Sequence, residues 1–332
     1  MKIAVFGTQD FERYFLRQAN AKAHHELVFF KEQLHAGTAS MASGFPAVCP
    51  FMLDQLTGET IQALAKGGTR VIALRSAGYN NVDLNAAKKA GILIMRVPAY
   101  APSAIAEHAV ALMLTLNRHL HKAYNRVREG NFDLNGLVGF NMLGKTVGII
   151  GTGKIGTALA RIMKGFGCEL LGYDVHPEPA CVELGLRYTE LAELMSKSDI
   201  ISLHCPLNEK TQHLINGKML GLVKPGAMLI NAARGGVVDT AAVIESLKSS
   251  NGLGYFGMDV YEEEGPLFFS DRSMTVIKDD VFERLTTMPN VVITGHQAFL
   301  TREALAEIAE ITLENISGFE AGHPKQEDLV SA

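Results

Sequence analysis

Short apolar runs separated by polar, helix-like segments recur along the first hundred residues. The runs with strand character are residues 2–6, 26–30, 47–52, 71–74 and 92–97, and the helical segments include 60–66 and 84–90. This alternation is typical of a parallel sheet with helical crossovers. The pattern therefore predicts one α/β domain over the first 98 or so residues.

A long amphipathic helix is predicted to begin at Pro102, because proline suits the first turn of a helix. Ile105, Ala109, Leu112 and Leu116 then follow at spacings of three and four, which place them on one helix face. The next segment, residues 122–144, is polar and rich in glycine with weak periodicity. We expect an arm or a loop there.

A second series of apolar runs begins after Lys145. The runs cover residues 146–150, 169–173, 200–203, 227–231, 255–259 and 291–294, and six such strands predict a doubly wound parallel sheet. Thr301 is a suitable N-cap for a last helix that reaches Gly318. The polar tail after Gly322 is expected to be loosely held. The predicted fold class is α/β, with two doubly wound domains.

Length and composition predict the number of domains and argue against several classes of function. At about 150 residues per domain, 332 residues predict two domains, and a net charge of -4 does not favour nucleic acid as a partner. No apolar stretch is long enough to predict a membrane span, and the opening apolar run is too short for a signal peptide. The four cysteines, Cys49, Cys168, Cys181 and Cys205, form no Cys-x-x-Cys pair, so we expect no disulfide framework, no bound metal and a cytoplasmic location.

A glycine-rich turn follows the apolar run 147–150. Gly151 allows a tight turn, Gly153 lets the backbone approach a pyrophosphate, and Gly156 lets the following helix pack closely on the strand. Alone this pattern is often only a turn. Here the next strand ends in Asp174, 18 residues after Gly156, where a carboxylate accepts hydrogen bonds from the adenosine ribose. No arginine follows to receive a 2′-phosphate, so the motif favours NAD over NADP.

Three later strands each deliver a polar group at the carboxyl end, which is where open α/β sheets bind ligands. They lead to Arg234, to the acidic run 262–264 and to His296. Taken singly, each has a plainer explanation as a surface charge, a solvated loop or a structural histidine. Taken together, they supply a proton donor, a carboxylate that orients it and an arginine that grips an acid, which is the chemistry that reduction of a 2-keto acid needs.

Six motifs together resemble the D-isomer-specific 2-hydroxyacid dehydrogenases, most closely the NAD-dependent fermentative D-lactate dehydrogenases. The matching segments are residues 74–83, 96–108, 151–156, 231–236, 259–264 and 295–299, and they span nearly the whole chain. The resemblance implies that Arg234 and His296 are catalytic. It also implies that Glu264, five residues after Asp259, is the catalytic glutamate rather than either of its two acidic neighbours.

The resemblance further implies the binding residues. The substrate carboxylate would meet backbone N–H groups of Ser76, Ala77 and Gly78, and the substrate would also contact Arg234, His296, Tyr100, Phe51 and Phe299. The last three are bulky and would leave room for little more than a methyl group. Further cofactor contacts are implied for Lys154, Ile155, Cys205, Pro206, Thr211, Ala232, Ala233, Arg234 and Asp259.

The architecture implied by the resemblance is discontinuous. A substrate domain of residues 1–99 plus 299–332 and an NAD-binding domain of residues 100–298 would enclose a cleft. The expected activity is NADH-dependent, reversible reduction of pyruvate to D-lactate in a homodimer or dimer-based tetramer. The alternatives are another small keto acid, such as hydroxypyruvate, glyoxylate or a branched acid, and a protein that binds NAD(H) as a sensor.

Overall fold

The computed structural model describes residues 1–331, and the chain forms two compact units. The first consists of Met1–Ala101 together with the chain from Leu300 onward, and the second is Pro102–Phe299. This division differs from the predicted domain boundaries only at residues 100–101 and 299.

Strands and helices alternate in both units. Within residues 1–331 the strands are β1 Lys2–Val5, β2 Glu26–Phe29, β3 Ala47–Cys49, β4 Val71–Ala73, β5 Leu93–Met95, β6 Thr146–Ile150, β7 Glu169–Tyr173, β8 Arg187–Tyr188, β9 Ile200–Leu203, β10 Met228–Asn231, β11 Tyr255–Met258, β12 Val291–Ile293 and β13 Leu329–Val330. The helices are α1 Asp10–Ala23, α2 Gly58–Lys66, α3 Leu84–Ala90, α4 Pro102–Asn117, α5 Leu120–Arg128, α6 Lys154–Gly165, α7 Pro179–Glu183, α8 Leu191–Lys197, α9 Gly217–Leu220, α10 Thr240–Lys248, α11 Asp280–Thr286 and α12 Arg302–Glu320.

The sheet of the first unit has the order β13-β5-β4-β3-β1-β2. Its first five strands are parallel, and β13 pairs antiparallel with β5. The strand order reverses between β1 and β3, so the loops after these two strands lie side by side at the ligand-binding edge typical of such sheets. The loop after β3 carries Phe51, which is therefore placed at the switch point of this unit.

The sheet of the second unit has the order β12-β11-β10-β9-β6-β7-β8, and every pair in it is parallel. This is the doubly wound order, with its switch point between β6 and β9. Strands β9 and β10 are buried along their whole length, as expected for a parallel sheet covered on both faces. The glycine-rich turn follows β6, and the three polar groups follow β10, β11 and β12.

The structure confirms the predicted strands and the two predicted helices, one that begins at Pro102 and one that is capped by Thr301. Pro102 is the first residue of α4, and the Thr301 hydroxyl accepts the N–H of Ala304 at the start of α12. The predicted fold class is also confirmed, because both units are α/β with doubly wound, largely parallel sheets.

Three expectations were wrong. The segment 122–144 is not all loop, because α5 occupies its first seven residues. The second sheet has a seventh strand, β8, in addition to the six predicted strands. The tail after Gly322 is not loosely held, because β13 pairs with β5 and Asp328, which precedes it, is only 2% exposed.

Candidate active site

The glycine-rich turn has the backbone geometry that the sequence predicts. Gly151 has a φ of +92°, and a Cβ there would lie 2.5 Å from the Cys205 nitrogen. A Cβ on Gly156 would lie 2.0 Å from the Gly151 carbonyl oxygen, whereas one on Gly153 would meet nothing within 4 Å. The turn is therefore closed on the protein side and open at Gly153, directly before the first residue of α6, Lys154.

The first turn of α6 presents N–H groups to the same opening. Lys154 and Ile155 lie at its N-terminus, where N–H groups lack acceptors inside the helix and the helix dipole favours an anion. A pyrophosphate fits this combination of free donors and uncrowded backbone. The Gly151–Gly156 turn can accordingly hold a dinucleotide.

Asp174 follows β7 directly and is tied to the glycine-rich turn. Its Oδ2 accepts the Thr152 N–H at 2.6 Å and lies 3.3 Å from the Thr152 hydroxyl, while its Oδ1 accepts the His176 N–H at 3.0 Å. The Tyr188 hydroxyl in turn donates to the Thr152 hydroxyl at 2.7 Å. The carboxylate is thereby fixed beside the turn, where a ribose would lie if a pyrophosphate bound at α6.

The loop after β9 completes the switch point. Cys205 lies against Gly151, since a Cβ added at Gly151 would be only 2.5 Å from its backbone nitrogen, and burial raises the pKa of its thiol to about 11. The Thr211 hydroxyl donates to the Pro206 carbonyl at 2.6 Å and accepts the Asn208 N–H at 2.8 Å. Cys205 and Pro206 are thus placed next to the glycine-rich turn, whereas the Thr211 hydroxyl closes its own loop.

Asn231, the last residue of β10, organises the loop that carries Arg234. Its side chain donates to the Arg234 carbonyl at 3.0 Å and accepts the Ala233 N–H at 3.1 Å. The Arg234 guanidinium bonds back to the Ala233 carbonyl at 2.7 Å. It forms no ion pair within 4.0 Å among residues 1–331, so its charge remains available to an anion.

Arg234 lies close to the acidic loop because of the glycine that follows it. A Cβ on Gly235 would lie 2.1 Å from the Tyr261 carbonyl carbon, so no other residue allows the two loops to approach this closely. Glu264 closes the same acidic loop, since its Oε2 accepts the Tyr261 N–H at 3.2 Å. The strand ends of β10 and β11 are therefore packed against each other at the site.

His296 and Glu264 form a hydrogen-bonded pair. His296 Nδ1 lies 2.9 Å from Glu264 Oε1, with the two side chains 13% and 20% exposed. Among residues 1–331 no side chain bonds His296 Nε2. Glu264 therefore fixes the ring through Nδ1, and Nε2 is left to exchange a proton with a bound molecule. The imidazole also contacts two aromatic rings, Phe269 at 5.9 Å and Phe299 at 6.5 Å between centroids.

The other two glutamates of the acidic run have different positions. Glu262 accepts the Thr240 N–H at the start of α10 and pairs with His213 Nε2 at 2.7 Å. Glu263 is exposed. The structure thus selects Glu264 as the partner of His296, a choice that the strand-end pattern alone left open.

Asp259 holds the loop of His296 in place. Its Oδ1 accepts the Thr294 hydroxyl at 2.5 Å and the Gln297 N–H at 2.8 Å, and its Oδ2 accepts the Ala298 N–H at 2.8 Å. Its backbone carbonyl accepts the N–H of His296 at 2.6 Å, which stabilises the left-handed φ of 54° at that residue. Both carboxylate oxygens therefore hold the loop of His296 in place, and the cofactor contact expected for Asp259 stays a prediction.

The pKa of Asp259 is lower than its ordinary value of 3.8. Burial opposes ionisation, but the hydrogen bonds that the carboxylate accepts from His108, Thr294 and the two loop N–H groups outweigh it. His108 Nε2 lies 3.4 Å from Oδ1. The sequence offered no sign of this anchoring role, because two of the four donors are backbone N–H groups and the two side-chain donors lie far from Asp259 in the chain.

The first unit carries the remaining predicted substrate residues. Ser76, Ala77 and Gly78 form the loop after β4, and Phe51 is buried in the loop after β3. Tyr100 is half-buried next to Ala101, whose N–H donates to Glu307. Phe299, predicted to belong with them, lies at the end of the second unit.

Within residues 1–331, no group of three or more His, Cys, Asp or Glu side chains is placed to hold a metal ion. No helix of the same residues has the length and apolar character needed to cross a bilayer.

Comparison with known proteins gives matches along the whole chain. A family model described as D-isomer specific 2-hydroxyacid dehydrogenase, NAD binding domain, matches residues 110–298. D-lactate dehydrogenase of Escherichia coli is 50% identical over 330 residues, which are 99% of this chain and 100% of that protein.

Solved structures agree. The apo-structure of D-lactate dehydrogenase from Escherichia coli has a TM-score of 0.91 at 48% identity and covers 99% of this chain and 100% of its own. The pyruvate reductase of Chlamydomonas reinhardtii has a TM-score of 0.92 at 42% identity, with coverage of 98% and 97%. D-lactate dehydrogenase with NAD+ from Lactobacillus jensenii has a TM-score of 0.84 at 34% identity and covers both chains completely.

Proposed function

Since the chain belongs to the D-isomer-specific 2-hydroxyacid dehydrogenases, we propose that it catalyses the NADH-dependent, reversible reduction of pyruvate to D-lactate. One observation carries the proposal: a histidine whose Nδ1 is held by Glu264 at 2.9 Å follows β12, beside the strand ends that carry Asp259 and Arg234, which forms no ion pair within residues 1–331. Identity of 50% to a D-lactate dehydrogenase over the full chain supports the substrate.

His296 acts as the acid of the reduction. Its Nε2 gives a proton to the carbonyl oxygen of the keto acid, and the same atom takes the proton back when lactate is oxidised. Glu264 holds Nδ1–H, which fixes the ring orientation and stabilises the protonated imidazole. Arg234 binds the substrate carboxylate and stabilises the negative charge that develops on the carbonyl oxygen.

NAD is the cofactor, and the residues of the second unit fit it. Lys154, Ile155 and the glycines receive the pyrophosphate, and Asp174 receives the adenosine ribose, with Cys205, Pro206, Thr211, Ala232 and Ala233 as further contacts. NADH, when bound, supplies the two electrons and the hydrogen that reduce the carbonyl carbon. The Asp174 carboxylate repels a 2′-phosphate, which favours NADH over NADPH.

The first unit recognises the small acid. The N–H groups of the loop Ser76–Gly78 bind the carboxylate, and the bulk of Phe51 and Tyr100 limits the side chain of the substrate to about a methyl group. Phe299, which contacts the ring of His296, adds to the same restriction.

The decisive test is to mix the purified protein with pyruvate and NADH, follow NADH consumption and determine the configuration of the lactate formed. We expect rapid turnover and the D enantiomer. Negligible turnover, which a protein that only senses NAD(H) would give, contradicts the proposal. A panel of pyruvate, hydroxypyruvate, glyoxylate and a branched keto acid ranks the substrates by kcat/KM, since one methylene is worth about 1–3 kcal/mol in an apolar pocket.

We also propose that the protein is a cytoplasmic homodimer, or a tetramer built from such dimers. Large apolar side chains are exposed from α5 to the start of β6: Leu120, Tyr124, Val127, Phe132, Leu134, Val138 and Leu143, with Val138 85% exposed. An apolar surface of this kind is typical of an interface, and a second copy of this chain is the occupant that we propose.

Light scattering tests this assembly. We expect the unmodified protein to have two or four times the mass of one chain. The control Val276→Asp, at a position that is 84% exposed in a different loop, should have the same mass as the unmodified protein. The double variant Leu134→Asp, Val138→Asp should be a monomer. An unchanged mass for this double variant contradicts the proposed interface.

A further inference from the structure

Three successive carbonyl groups in the loop after β4 are each fixed by a hydrogen bond. The Ser76 carbonyl accepts the Val97 N–H at 3.1 Å, the Ala77 carbonyl accepts Arg96 Nη1 at 3.0 Å, and the Gly78 carbonyl accepts the Ser76 hydroxyl at 2.7 Å. Three successive peptide groups are therefore oriented by three separate donors. Two of these donors, Arg96 and Val97, come from the end of the neighbouring strand β5.

The orientation of these carbonyls decides where the N–H groups point. In a planar trans peptide the N–H lies opposite the C=O. The N–H groups of Ala77, Gly78 and Tyr79 therefore point away from the three donors, and among residues 1–331 none of them donates a hydrogen bond. Successive backbone N–H groups that have no acceptor of their own can bind an anion together.

Arg96 adds a positive charge to this loop. Its guanidinium lies over the Tyr79 ring at 5.3 Å, and it forms no ion pair within 4.0 Å in the described chain. Its Nε is buried without a partner. A cation bonded to the Ala77 carbonyl polarises that peptide group and makes the Gly78 N–H a stronger donor.

The main chain of Arg96 is itself held on both sides. Its N–H donates to the Asp328 carbonyl at 2.9 Å, and its carbonyl accepts the Asn315 side chain at 2.9 Å. The guanidinium thus extends to the loop from a backbone that is fixed between β5, β13 and α12. This combination distinguishes Arg96 from a surface arginine that happens to reach a carbonyl.

We propose that Arg96 is a positioning residue for substrate binding, which orients and polarises the peptide groups that receive the carboxylate of the keto acid. The inference rests on the proposed function, since it concerns the same carboxylate. It predicts that loss of Arg96 weakens carboxylate binding and leaves the binding of NADH intact.

The test compares Arg96→Met and Arg96→Lys with the control Arg70→Met. Arg70 lies in the same unit and also stacks on an aromatic ring, Phe319 at 5.8 Å, but it is exposed and its side chain bonds no carbonyl group in the part of the chain that the structure describes. The measurements are kcat and KM for pyruvate, KM for NADH, the melting temperature, and the Kd of oxamate, an unreactive carboxylate analogue, from NADH fluorescence in the holoprotein.

For Arg96→Met we expect the pyruvate KM and the oxamate Kd to rise together, by about tenfold, the scale of a lost hydrogen bond to a charged group. The NADH KM should stay within twofold of the unmodified protein. Arg96→Lys keeps the charge and should recover most of the loss, while Arg70→Met should bind both ligands normally. If Arg96→Met does not fold, Arg96→Lys still decides, with an expected rise of about threefold.

Two results overturn the inference. One is a folded Arg96→Met with unchanged pyruvate KM and oxamate Kd or, if that variant does not fold, an Arg96→Lys variant that leaves both values unchanged. The other is a parallel loss of pyruvate and NADH binding with a lower melting temperature, which indicates a purely structural role. Because oxamate binding needs no turnover, a protein that binds oxamate through Arg96 without reducing pyruvate contradicts the proposed function and leaves this inference standing.

Discussion

Replacing Asp259 by asparagine tests whether the loop of His296 depends on a buried carboxylate. The change is nearly isosteric, but it replaces two acceptor oxygens by one oxygen and one NH2 group. The less damaging orientation keeps oxygen toward Thr294 and Gln297 and turns the NH2 group toward the Ala298 N–H. Two donors then face each other across a separation that is now 2.8 Å.

The expected cost follows from these contacts. One charge-assisted hydrogen bond is lost and one buried N–H is left without an acceptor, together about 3–5 kcal/mol. The loop can avoid this cost only by moving, and a displacement of about 1 Å at a catalytic group lowers the rate by about a hundredfold. We therefore expect kcat to fall by about a hundredfold through the altered position of His296.

Steady-state kinetics distinguishes this role from a contact with the cofactor. If Asp259 positions the loop, kcat falls and the NADH KM stays within about threefold, whereas loss of a binding contact alone raises the NADH KM and leaves kcat intact. The control is Asp239→Asn, because Asp239 caps α10 and asparagine is an equally good N-cap. A kcat within threefold of the unmodified protein refutes the reasoning.

The same carboxylate makes a pH-dependent contribution to stability. Its pKa is lower in the folded protein than its ordinary value of 3.8, so the contribution is present above that pH. It is lost as the pH falls through the folded pKa. The difference in unfolding free energy between the unmodified protein and Asp259→Asn should therefore be largest near neutral pH and should decrease in acid.

Four further results are expected. Arg234→Gln should raise the activation free energy that kcat/KM reports by about 3–5 kcal/mol, because the guanidinium that binds the substrate carboxylate is lost. A fall in kcat/KM of less than tenfold rejects that role. Glu264→Gln should lower kcat by about ten- to a hundredfold, since a neutral amide stabilises imidazolium poorly, while Glu263→Gln, an exposed neighbour, should not change it. Asp174→Ala should reduce the preference for NADH over NADPH, and an unchanged ratio of the two kcat/KM values contradicts the assignment. Burial raises the pKa of Asp54 to about 6, so stability should fall by about 3 kcal/mol as the pH rises from about 4 to 6, and Asp54→Asn should remove this slope in urea titrations.

The fold was predictable where apolar runs are long enough to see. A strand such as β9 can be predicted from its sequence, because all four of its residues are buried and three of them are apolar. The two-residue strand β8 has no apolar signal, and the partner of β13 lies more than 230 residues earlier in the chain, so neither could be found from a local pattern. Helix α5 was hidden because none of its residues is buried.

The site was predictable where chemistry depends on residue type and spacing. The glycine-rich turn, Asp174 and His296 follow from strand ends and motifs. The choice of Glu264 needed the family resemblance or the structure, because three glutamates stand in a row. The function of Asp259 could not be predicted, since its partners include backbone N–H groups that only the folded loop brings to the carboxylate.

The pairing of β13 with β5, and of α12 with the first sheet, has a consequence for biosynthesis. Leu313 and Ile316 of α12 share a core with Ile3 and Val71, so the first 101 residues lack part of their own interior until the end of the chain is made. The segment Pro102–Phe299 leaves the ribosome before α12 and β13 do, and it contains every strand of its own sheet. The middle of the chain can therefore fold while it is being translated, and the N-terminal residues must wait for the last ones.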